Sequence, residues 1–230
     1  MQEARKIKAV FFDLDNTLFP ASKFTGLARK KAVRAMVKEG LPLGEKQAFR
    51  ILQHIVSKYG SNYPHHFDAL AATANAREKA RVVAAGIAAY HSAKQSMKPH
   101  TGAEKAIRAL TKRGFKACVM SRGVEVKQWD KLLRLNLHLL FSSVFIVQEK
   151  TPRAYASARR KLGLKKGEVV MVGDYPPIDA LPAKRAGFLT IRILKGKHAK
   201  ERFPNAMAPN ATIRNFSELG RAIEKLERRN

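Results

Sequence analysis

The chain has 230 residues, 45% of them hydrophobic, which is enough for one full domain and a smaller inserted one. Its single cysteine, Cys118, excludes an internal disulfide framework and favours a reducing compartment. The 45 Lys and Arg residues against 18 Asp and Glu residues give a net charge of +27. Such an excess is typical of binding to nucleic acid or another polyanion, or of a solvated surface that attracts anionic substrates. Because the positive residues are dispersed rather than grouped in one block, the diffuse surface is the preferred interpretation.

Neither a secretory signal nor a membrane span is indicated. Lys6 and Lys8 lead directly into an apolar strand pattern, and no small-residue cleavage site follows an apolar core. The longest apolar stretch, residues 82–90, is interrupted by Gly86 and is too short to cross a bilayer. We therefore expect a cytoplasmic protein with no membrane partner.

The predicted elements begin with an apolar strand, residues 6–12, which leads into a loop over residues 13–20. Helical periodicity follows over residues 23–40 and 43–59. An alanine-rich helical stretch, residues 66–93, comes next and is broken near residue 74 or at Gly86. No strand pattern occurs in this block, so it is predicted to be all helical.

Helices and strands alternate after Pro99. This alternation is typical of an α/β fold with a Rossmann-like parallel sheet and helices on both faces. We predict a discontinuous core, residues 1–19 and 98–230, and an inserted all-helical domain, residues 20–97. The predicted helices are residues 103–113, 126–137, 155–162, 178–186 and 217–228, and the predicted strands are residues 115–120, 144–147, 168–172 and 189–194.

Side chains that can carry chemistry follow four of the predicted strands, at the point where each strand ends. Parallel strands end at one edge of a sheet, where open α/β sheets bind ligands, so we expect these side chains to lie together. Carboxylates and a lysine at one edge suit a hard cation and a phosphate group. The residues are Asp13, Asp15 and Thr17 after the first strand, Ser121 and Arg122 after the second, Lys150 after the third, and Asp174 and Asp179 after the fourth.

This combination is suited to phosphoryl transfer. A carboxylate such as Asp13 can attack phosphorus and form an aspartyl-phosphate, provided that a divalent cation such as Mg²⁺ offsets the repulsion between the two anions. A second acid, Asp15, can protonate the leaving group and then deprotonate water, which contributes roughly 10²–10⁴-fold in rate. A hydroxyl and an ammonium group can hold the phosphoryl oxygens.

These motifs resemble those of the haloacid dehalogenase (HAD) superfamily, and the resemblance covers nearly the whole chain. Asp13-Leu14-Asp15-Asn16-Thr17 resembles the first motif of the superfamily, and residues 173–179 resemble the fourth. Ser121 matches the second motif and Lys150 the third.

Two longer stretches narrow the resemblance. Residues 59–68 and 126–132 are similar to archaeal phosphatases of this superfamily that are named for glyceraldehyde 3-phosphate. The acid at Asp15 also separates the chain from the dehalogenase branch, which needs no protonation of a leaving group.

The resemblance implies a Mg²⁺-dependent phosphatase with a C1-type cap formed by the helical insert, and it makes a homodimer plausible. Asp13 would be the nucleophile and Asp15 the acid–base residue. The implied metal site comprises Asp13, Asp15 through its backbone and Asp174, with Asp179 either as a further ligand or as a supporting carboxylate. The implied phosphate site comprises Ser121 and Lys150, and we add Arg122 as a candidate phosphate ligand.

Each residue also has a purely structural interpretation. Asp-x-Asp after a strand can form an Asx-turn or a helix cap, and Asp174 could be the N-cap of the following helix. Ser121 could be a turn residue, and most lysines are solvated. All four motifs occur in the expected order along the chain, which favours function.

The chain departs from the family pattern at two positions. Relatives usually read Lys-Pro-x-Pro where this chain has Lys150-Thr151-Pro152, so either Lys150 or Arg153 could reach the phosphate. Arg122 stands where relatives often carry Asp or Asn, and it would strengthen phosphate binding or favour a more anionic substrate.

We predict a phosphomonoesterase acting on a small phosphorylated metabolite, such as glyceraldehyde 3-phosphate or a similar triose or sugar phosphate. Three alternatives stay open from the sequence. A phosphatase acting on nucleotides or nucleic-acid ends would explain both the positive charge and the catalytic residues. A protein with a HAD scaffold could instead bind polyanions without catalysis. A phosphomutase would use the same site.

Overall fold

The computed structural model describes residues 6–229, so residues 1–5 and 230 of the predicted core lie outside the described residues. The described chain divides into two compact units, residues 6–22 with 98–229 and residues 23–97. The helical unit begins at Lys23, whereas the sequence pattern placed its start at residue 20.

Strands and helices alternate in the first unit, and the second is helical. The strands are β1 (Ala9–Phe12), β2 (Lys116–Arg122), β3 (Ser143–Val147), β4 (Val169–Gly173), β5 (Leu189–Ile193) and β6 (Ala211–Ile213). The α-helices are α1 (Ala21–Lys38), α2 (Glu45–Tyr59), α3 (His66–Thr73), α4 (Lys79–Ala93), α5 (Ala103–Lys112), α6 (Glu125–Arg134), α7 (Pro152–Lys161), α8 (Ala180–Arg185) and α9 (Leu219–Arg229).

Within residues 6–229 the strands form one six-stranded sheet in the order β3-β2-β1-β4-β5-β6. Every pairing is parallel, which confirms the predicted α/β fold. β1 lies between β2 and β4, so the chain builds the sheet outward first on one side of β1 and then on the other. The strand order reverses between β1 and β4, and open α/β sheets bind ligands outside the carboxyl ends of the strands at such a point.

β1 is short but lies at the centre of the core. All four of its residues are fully buried, as expected for a parallel strand covered on both faces. The Phe11 ring stacks on Phe145 and meets Phe188 edge-on, with ring centroids 5.6 Å and 5.4 Å away. This packing fixes the backbone that leads into Asp13.

The helical unit has its own apolar core, to which Met36, Leu52, Leu70 and Val82 contribute. Gly86 lies inside α4, and a Cβ atom there would lie 2.8 Å from Cγ and Sδ of Met36. The predicted break at Gly86 is therefore wrong, because this glycine allows α4 to approach α1 closely. The alternative break near residue 74 is confirmed by the gap between α3 and α4.

The remaining differences from the predicted elements lie at their ends and at one short strand. β1 begins at Ala9 rather than at residue 6, and β6 has only three residues, too few for a periodic pattern. No helix among the described residues is long and apolar enough to cross a membrane.

Candidate active site

The first two carboxylates lie at the point where the strand order reverses. Asp13 directly follows β1, and Asp174 directly follows β4. The backbone N–H of Asp13 donates a hydrogen bond to the Val172 carbonyl at 2.9 Å, which joins the ends of the two strands. The sheet therefore places both carboxylates at the edge where ligands bind.

Asp13, Asp174 and Asp179 form a buried cluster. Each offers a carboxylate oxygen, and these oxygens all lie within 4.8 Å of one another. Asp179 reaches the cluster from the turn before α8, where its Oδ2 accepts a hydrogen bond from the Tyr175 N–H at 3.1 Å. A Cβ atom on Gly173 would overlap the Asp179 carboxylate, so only glycine lets this turn fold so tightly against the strand end.

Lys150 is the cation of the cluster. Its Nζ lies 2.5 Å from Oδ1 of Asp13 and 2.7 Å from Oδ1 of Asp179, and the side chain is buried. Arg153, the other candidate for this position, is exposed at the start of α7. The structure thus brings Lys150, and not Arg153, to the carboxylates.

Among the described residues, the three buried carboxylates share this one lysine, and burial shifts the ionisation of Asp13 and Asp174. Burial, together with repulsion from Asp13 and Asp179, raises the pKa of Asp174 to about 8. Burial also raises the pKa of Asp13 to about 7, although Lys150 opposes that change. Burial lowers the pKa of Lys150, but attraction to Asp13 and Asp179 outweighs it and the net change is upward. A bound cation would relieve the excess negative charge.

Two buried polar atoms of the site are suited to bind a ligand. Within the described residues, Oδ2 of Asp174 and Oγ of Ser121 have no hydrogen-bond partner. Oδ1 of Asp174 accepts a hydrogen bond from Thr17 at 3.3 Å, so this side chain is held while its second oxygen stays available. Buried polar atoms without partners are costly in a native protein, and a metal ion and a phosphate oxygen would satisfy these two. The residues present fit a divalent cation.

Asp15 does not enter the cluster. Its carboxylate accepts hydrogen bonds from Nζ of Lys131, at 2.7 Å to Oδ1 and 2.6 Å to Oδ2. Neither Lys131 nor its neighbour Gln128 was predicted as a site residue. The two residues are three positions apart on one face of α6, in the stretch 126–132 that resembles archaeal phosphatases. That spacing was the available sequence signal that they act together.

Arg122 also lies apart from the cluster. Its side chain is exposed, with Nη1 3.6 Å from Oε2 of Glu149. Ser121, one residue earlier on β2, is buried. The two predicted phosphate ligands of this strand end therefore differ in their surroundings.

The family follows from comparison with known proteins. Residues 7–187 match the family of haloacid dehalogenase-like hydrolases. This chain belongs to that family. The hydrolase is also similar across most of its length to two curated archaeal proteins, each named glyceraldehyde 3-phosphate phosphatase. It is 42% identical over 200 residues to the one from Methanopyrus kandleri, covering 84% of this chain and 86% of that protein. It is 35% identical over 232 residues to the one from Pyrococcus furiosus, covering 98% and 95%.

These relatives identify the hydrolase as a phosphatase. The fold is also similar to that of solved structures. A haloacid dehalogenase-like hydrolase from Xanthomonas campestris superposes with a TM-score of 0.70 at 19% identity, covering 100% of this chain and 95% of that one. The resemblance named from the motifs is thereby confirmed.

The loop after β5 completes the site of the hydrolase, and the sequence did not indicate this. Gly196 adopts a φ of 65°, and a Cβ atom there would lie 2.5 Å from Cβ of Asn16 and 3.2 Å from Oδ2 of Asp174. Asn16 itself has a φ of 64°, a conformation that asparagine tolerates better than most residues. Both positions depend on close approach of backbone segments that are far apart in the chain.

Proposed function

We propose that this phosphatase is a Mg²⁺-dependent phosphomonoesterase that works through an aspartyl-phosphate on Asp13. The observation that carries the proposal is the cluster itself. Asp13 shares a buried space with Asp174, Asp179 and Lys150 at the carboxyl ends of β1 and β4. A nucleophilic carboxylate beside two further carboxylates and a lysine suits a phosphate group together with a hard cation.

Asp13 and Asp174 would hold the Mg²⁺ ion, with the backbone of Asp15 as a further ligand and Asp179 within reach. The unpartnered Oδ2 of Asp174 supports this assignment. The bound ion would supply positive charge that lets an anionic phosphate approach Asp13. Asp179 already accepts hydrogen bonds on both oxygens, so its main contribution would be to hold Lys150 and the Tyr175 turn.

The chain's own residues then account for two chemical steps. The cycle begins with Asp13 ionised and Asp15 protonated. A carboxylate oxygen of Asp13 forms a bond to phosphorus while the bond to the leaving oxygen breaks, and the carboxylic acid of Asp15 donates its proton to that oxygen. Asp15 next removes a proton from water, the water oxygen bonds to phosphorus, and the bond to Asp13 breaks to release phosphate. Both steps conserve charge and leave the enzyme as it began.

Phosphate recognition would come from the ends of β2 and β3. The buried hydroxyl of Ser121 can donate to a phosphoryl oxygen, and Lys150 carries the charge that stabilises the transferring group. Arg122 is exposed and would contribute at the periphery of the site.

Glyceraldehyde 3-phosphate is the first substrate to test, because the curated relatives carry that name. Other triose and sugar phosphates share its small size and dianionic group. Residues 23–97 form a compact helical unit, and we assign to it the role of a C1-type cap that selects among these substrates.

One alternative substrate class has an observation in its favour. The net charge of +27 would attract nucleotides or nucleic-acid ends as well as small sugar phosphates. A panel that contains triose phosphates, nucleoside monophosphates and a 5′-phosphorylated oligonucleotide distinguishes the two classes by kcat/KM.

The test is hydrolysis of p-nitrophenyl phosphate and of this panel, with Mg²⁺ or with EDTA. We expect turnover with Mg²⁺, loss of turnover in EDTA, and loss of activity in Asp13→Asn by more than about 10³-fold because the nucleophile is removed. Asp130→Asn is the matched control, since Asp130 pairs with Arg134 on the surface of α6. Metal-independent turnover, or an active Asp13→Asn variant, would refute the proposal.

A further inference from the structure

The Asp15 carboxylate is held by two side chains from one face of α6. Nζ of Lys131 donates to both of its oxygens, at 2.7 Å and 2.6 Å. Nε2 of Gln128 lies 3.5 Å from Oδ2 of Asp15. Residues three apart face the same side of a helix, so α6 presents both groups to Asp15 together.

This pair of side chains is itself anchored to the loop that follows β2. Nε2 of Gln128 donates to the Arg122 carbonyl at 3.0 Å, and Lys131 donates to Oε1 of Gln128 at 3.2 Å. A Cβ atom on Gly123 would lie 2.7 Å from Nε2 of Gln128, so the loop backbone packs closely on this amide. Asp15 is therefore fixed relative to the strand end that carries Ser121.

The exposure of the Lys131–Asp15 ion pair indicates that the pair orients Asp15 rather than stabilises the fold. The Lys131 and Asp15 side chains are 24% and 33% exposed, whereas Lys150 and Asp13 in the cluster are 1% and 10% exposed. A partly exposed ion pair contributes little to folding. It does, however, restrict the Asp15 carboxylate to one orientation. Without the ion pair, an aspartate side chain at the same exposure would populate several rotamers.

We propose that Lys131 is a positioning residue, which holds the Asp15 carboxylate in the orientation from which it protonates the leaving oxygen. The inference rests on the proposed function, because it concerns the acid of that reaction. Misplacing a catalytic group by about 1 Å can cost about 10²-fold in rate. Gln128 supports Lys131 by fixing its ammonium group to the β2 loop.

The test compares two substrates in the full-length protein with Mg²⁺. p-Nitrophenolate leaves without a proton, whereas the alkoxide of an alkyl phosphate needs one, so only the second substrate depends on the acid. kcat/KM reports phosphoryl transfer to Asp13 and excludes the later hydrolysis of the phosphoenzyme. For Lys131→Met we expect kcat/KM to fall about 10–100-fold with the alkyl phosphate that the wild type hydrolyses fastest, and less than about 3-fold with p-nitrophenyl phosphate.

Two variants provide the controls. Lys131→Arg should retain most of the activity towards the alkyl phosphate, because a guanidinium group can also bind both oxygens of a carboxylate. Lys127→Met makes the same chemical change at an exposed position of α6 and should leave kcat/KM for both substrates unchanged.

The outcomes separate the inference from the function on which it rests. Equal losses with both substrates, or no loss, would overturn the role of Lys131 while leaving the phosphatase intact. A gain of activity in Lys131→Met would also overturn it, by showing that the ion pair inhibits proton donation by Asp15. A wild type that hydrolyses neither substrate would overturn the proposed function itself and the inference with it.

Discussion

At the scale of single residues, the decisive feature is that, within residues 6–229, three buried carboxylates have one lysine between them. Lys150 lies against Asp13 and Asp179, while Asp174 has a hydrogen bond from Thr17. Asp174 is therefore the carboxylate that carries the least compensation. Burial, together with the two neighbouring carboxylates, raises its pKa, and its Oδ2 has no hydrogen-bond partner among the described residues, which is the arrangement that the proposed cation site requires.

The stability of the metal-free protein should fall as the pH rises. The pKa of Asp174 in the folded protein is about 8, well above its ordinary value of about 3.9, so the folded state holds this proton more tightly than the unfolded state does. That contribution is fully present below the unfolded pKa and is lost progressively as the pH rises through about 8. In EDTA, the Tm of the wild type relative to that of Asp174→Asn should therefore decrease between about pH 5 and about pH 9.

Metal provides the control for this titration. With saturating Mg²⁺ the Tm of the wild type relative to that of Asp174→Asn should decrease much less with pH, because the ion stabilises the ionised carboxylates and binds the folded state. A Tm difference that increases with pH in EDTA would contradict the assignment of Asp174 as the uncompensated acid.

Much of the site could be predicted at this scale, because each residue follows an apolar strand and parallel strands end together. Asp13, Ser121, Lys150 and Asp174 were found in this way, and their roles stay predictions. Lys131 was missed, since a lysine on an amphipathic helix is usually solvated; its spacing from Gln128 indicates a shared helix face, but only the fold shows that this face meets Asp15.

At the scale of elements, the helices and long strands follow their patterns, and each exception has its own physical cause. Gly86 suggested a helix break because glycine is a poor helix former, but its missing side chain is a packing requirement against Met36. β6 escaped detection because three residues carry no periodicity. Patterns along the chain do not report contacts between elements, which is why the packing of Gly86 against Met36 could not be predicted.

The two glycines inside helices of the inserted unit should respond to alanine in opposite directions. Gly86→Ala places a Cβ atom 2.8 Å from Met36 and should destabilise the unit by about 1–3 kcal/mol, towards the lower value if the flexible Met36 side chain moves aside. At Gly26 in α1, no atom lies within 4 Å of the position that a Cβ atom would take. Gly26→Ala should therefore stabilise the unit by about 0.5–1 kcal/mol through helix propensity.

Urea unfolding of both variants measures the pair under identical conditions. A Gly86→Ala variant that is as stable as the wild type, or more stable, would contradict the close packing of α4 on α1, and a destabilised Gly26→Ala variant would contradict the open space at Gly26. The comparison is matched, because each variant adds one methyl group to one helix of the same unit.

At the scale of the whole molecule, the charge and the division into two units are the properties that bear on substrates. The excess of positive residues is spread along the chain, which favours general attraction of anions over a nucleic-acid site. The sequence predicted the α/β core and the helical insert, since the change from helical to alternating patterns occurs near residue 98. Association into a homodimer, cytoplasmic location and binding of polyanions stay predictions.

The charge predicts how salt affects catalysis. Raising NaCl from about 20 mM to about 300 mM should lower kcat/KM for a dianionic phosphate ester several-fold, because salt screens the attraction between protein and substrate. kcat should change little, since the buried cluster is screened less than the surface. Measurement of both constants across the salt range checks this, and a kcat/KM that does not depend on salt would show that the charge serves another purpose.

The central claim is that Asp13 becomes phosphorylated, and the most direct measurement is to map the phosphoryl group on the enzyme. The protein is mixed with Mg²⁺ and excess substrate, quenched in acid within milliseconds, digested and sequenced by mass spectrometry. We predict a gain of about 80 Da on Asp13, in the peptide of residues 9–23, that hydroxylamine removes and that Asp13→Asn lacks. Turnover without any modified peptide, or a phosphoryl group on a residue other than Asp13, would contradict this claim.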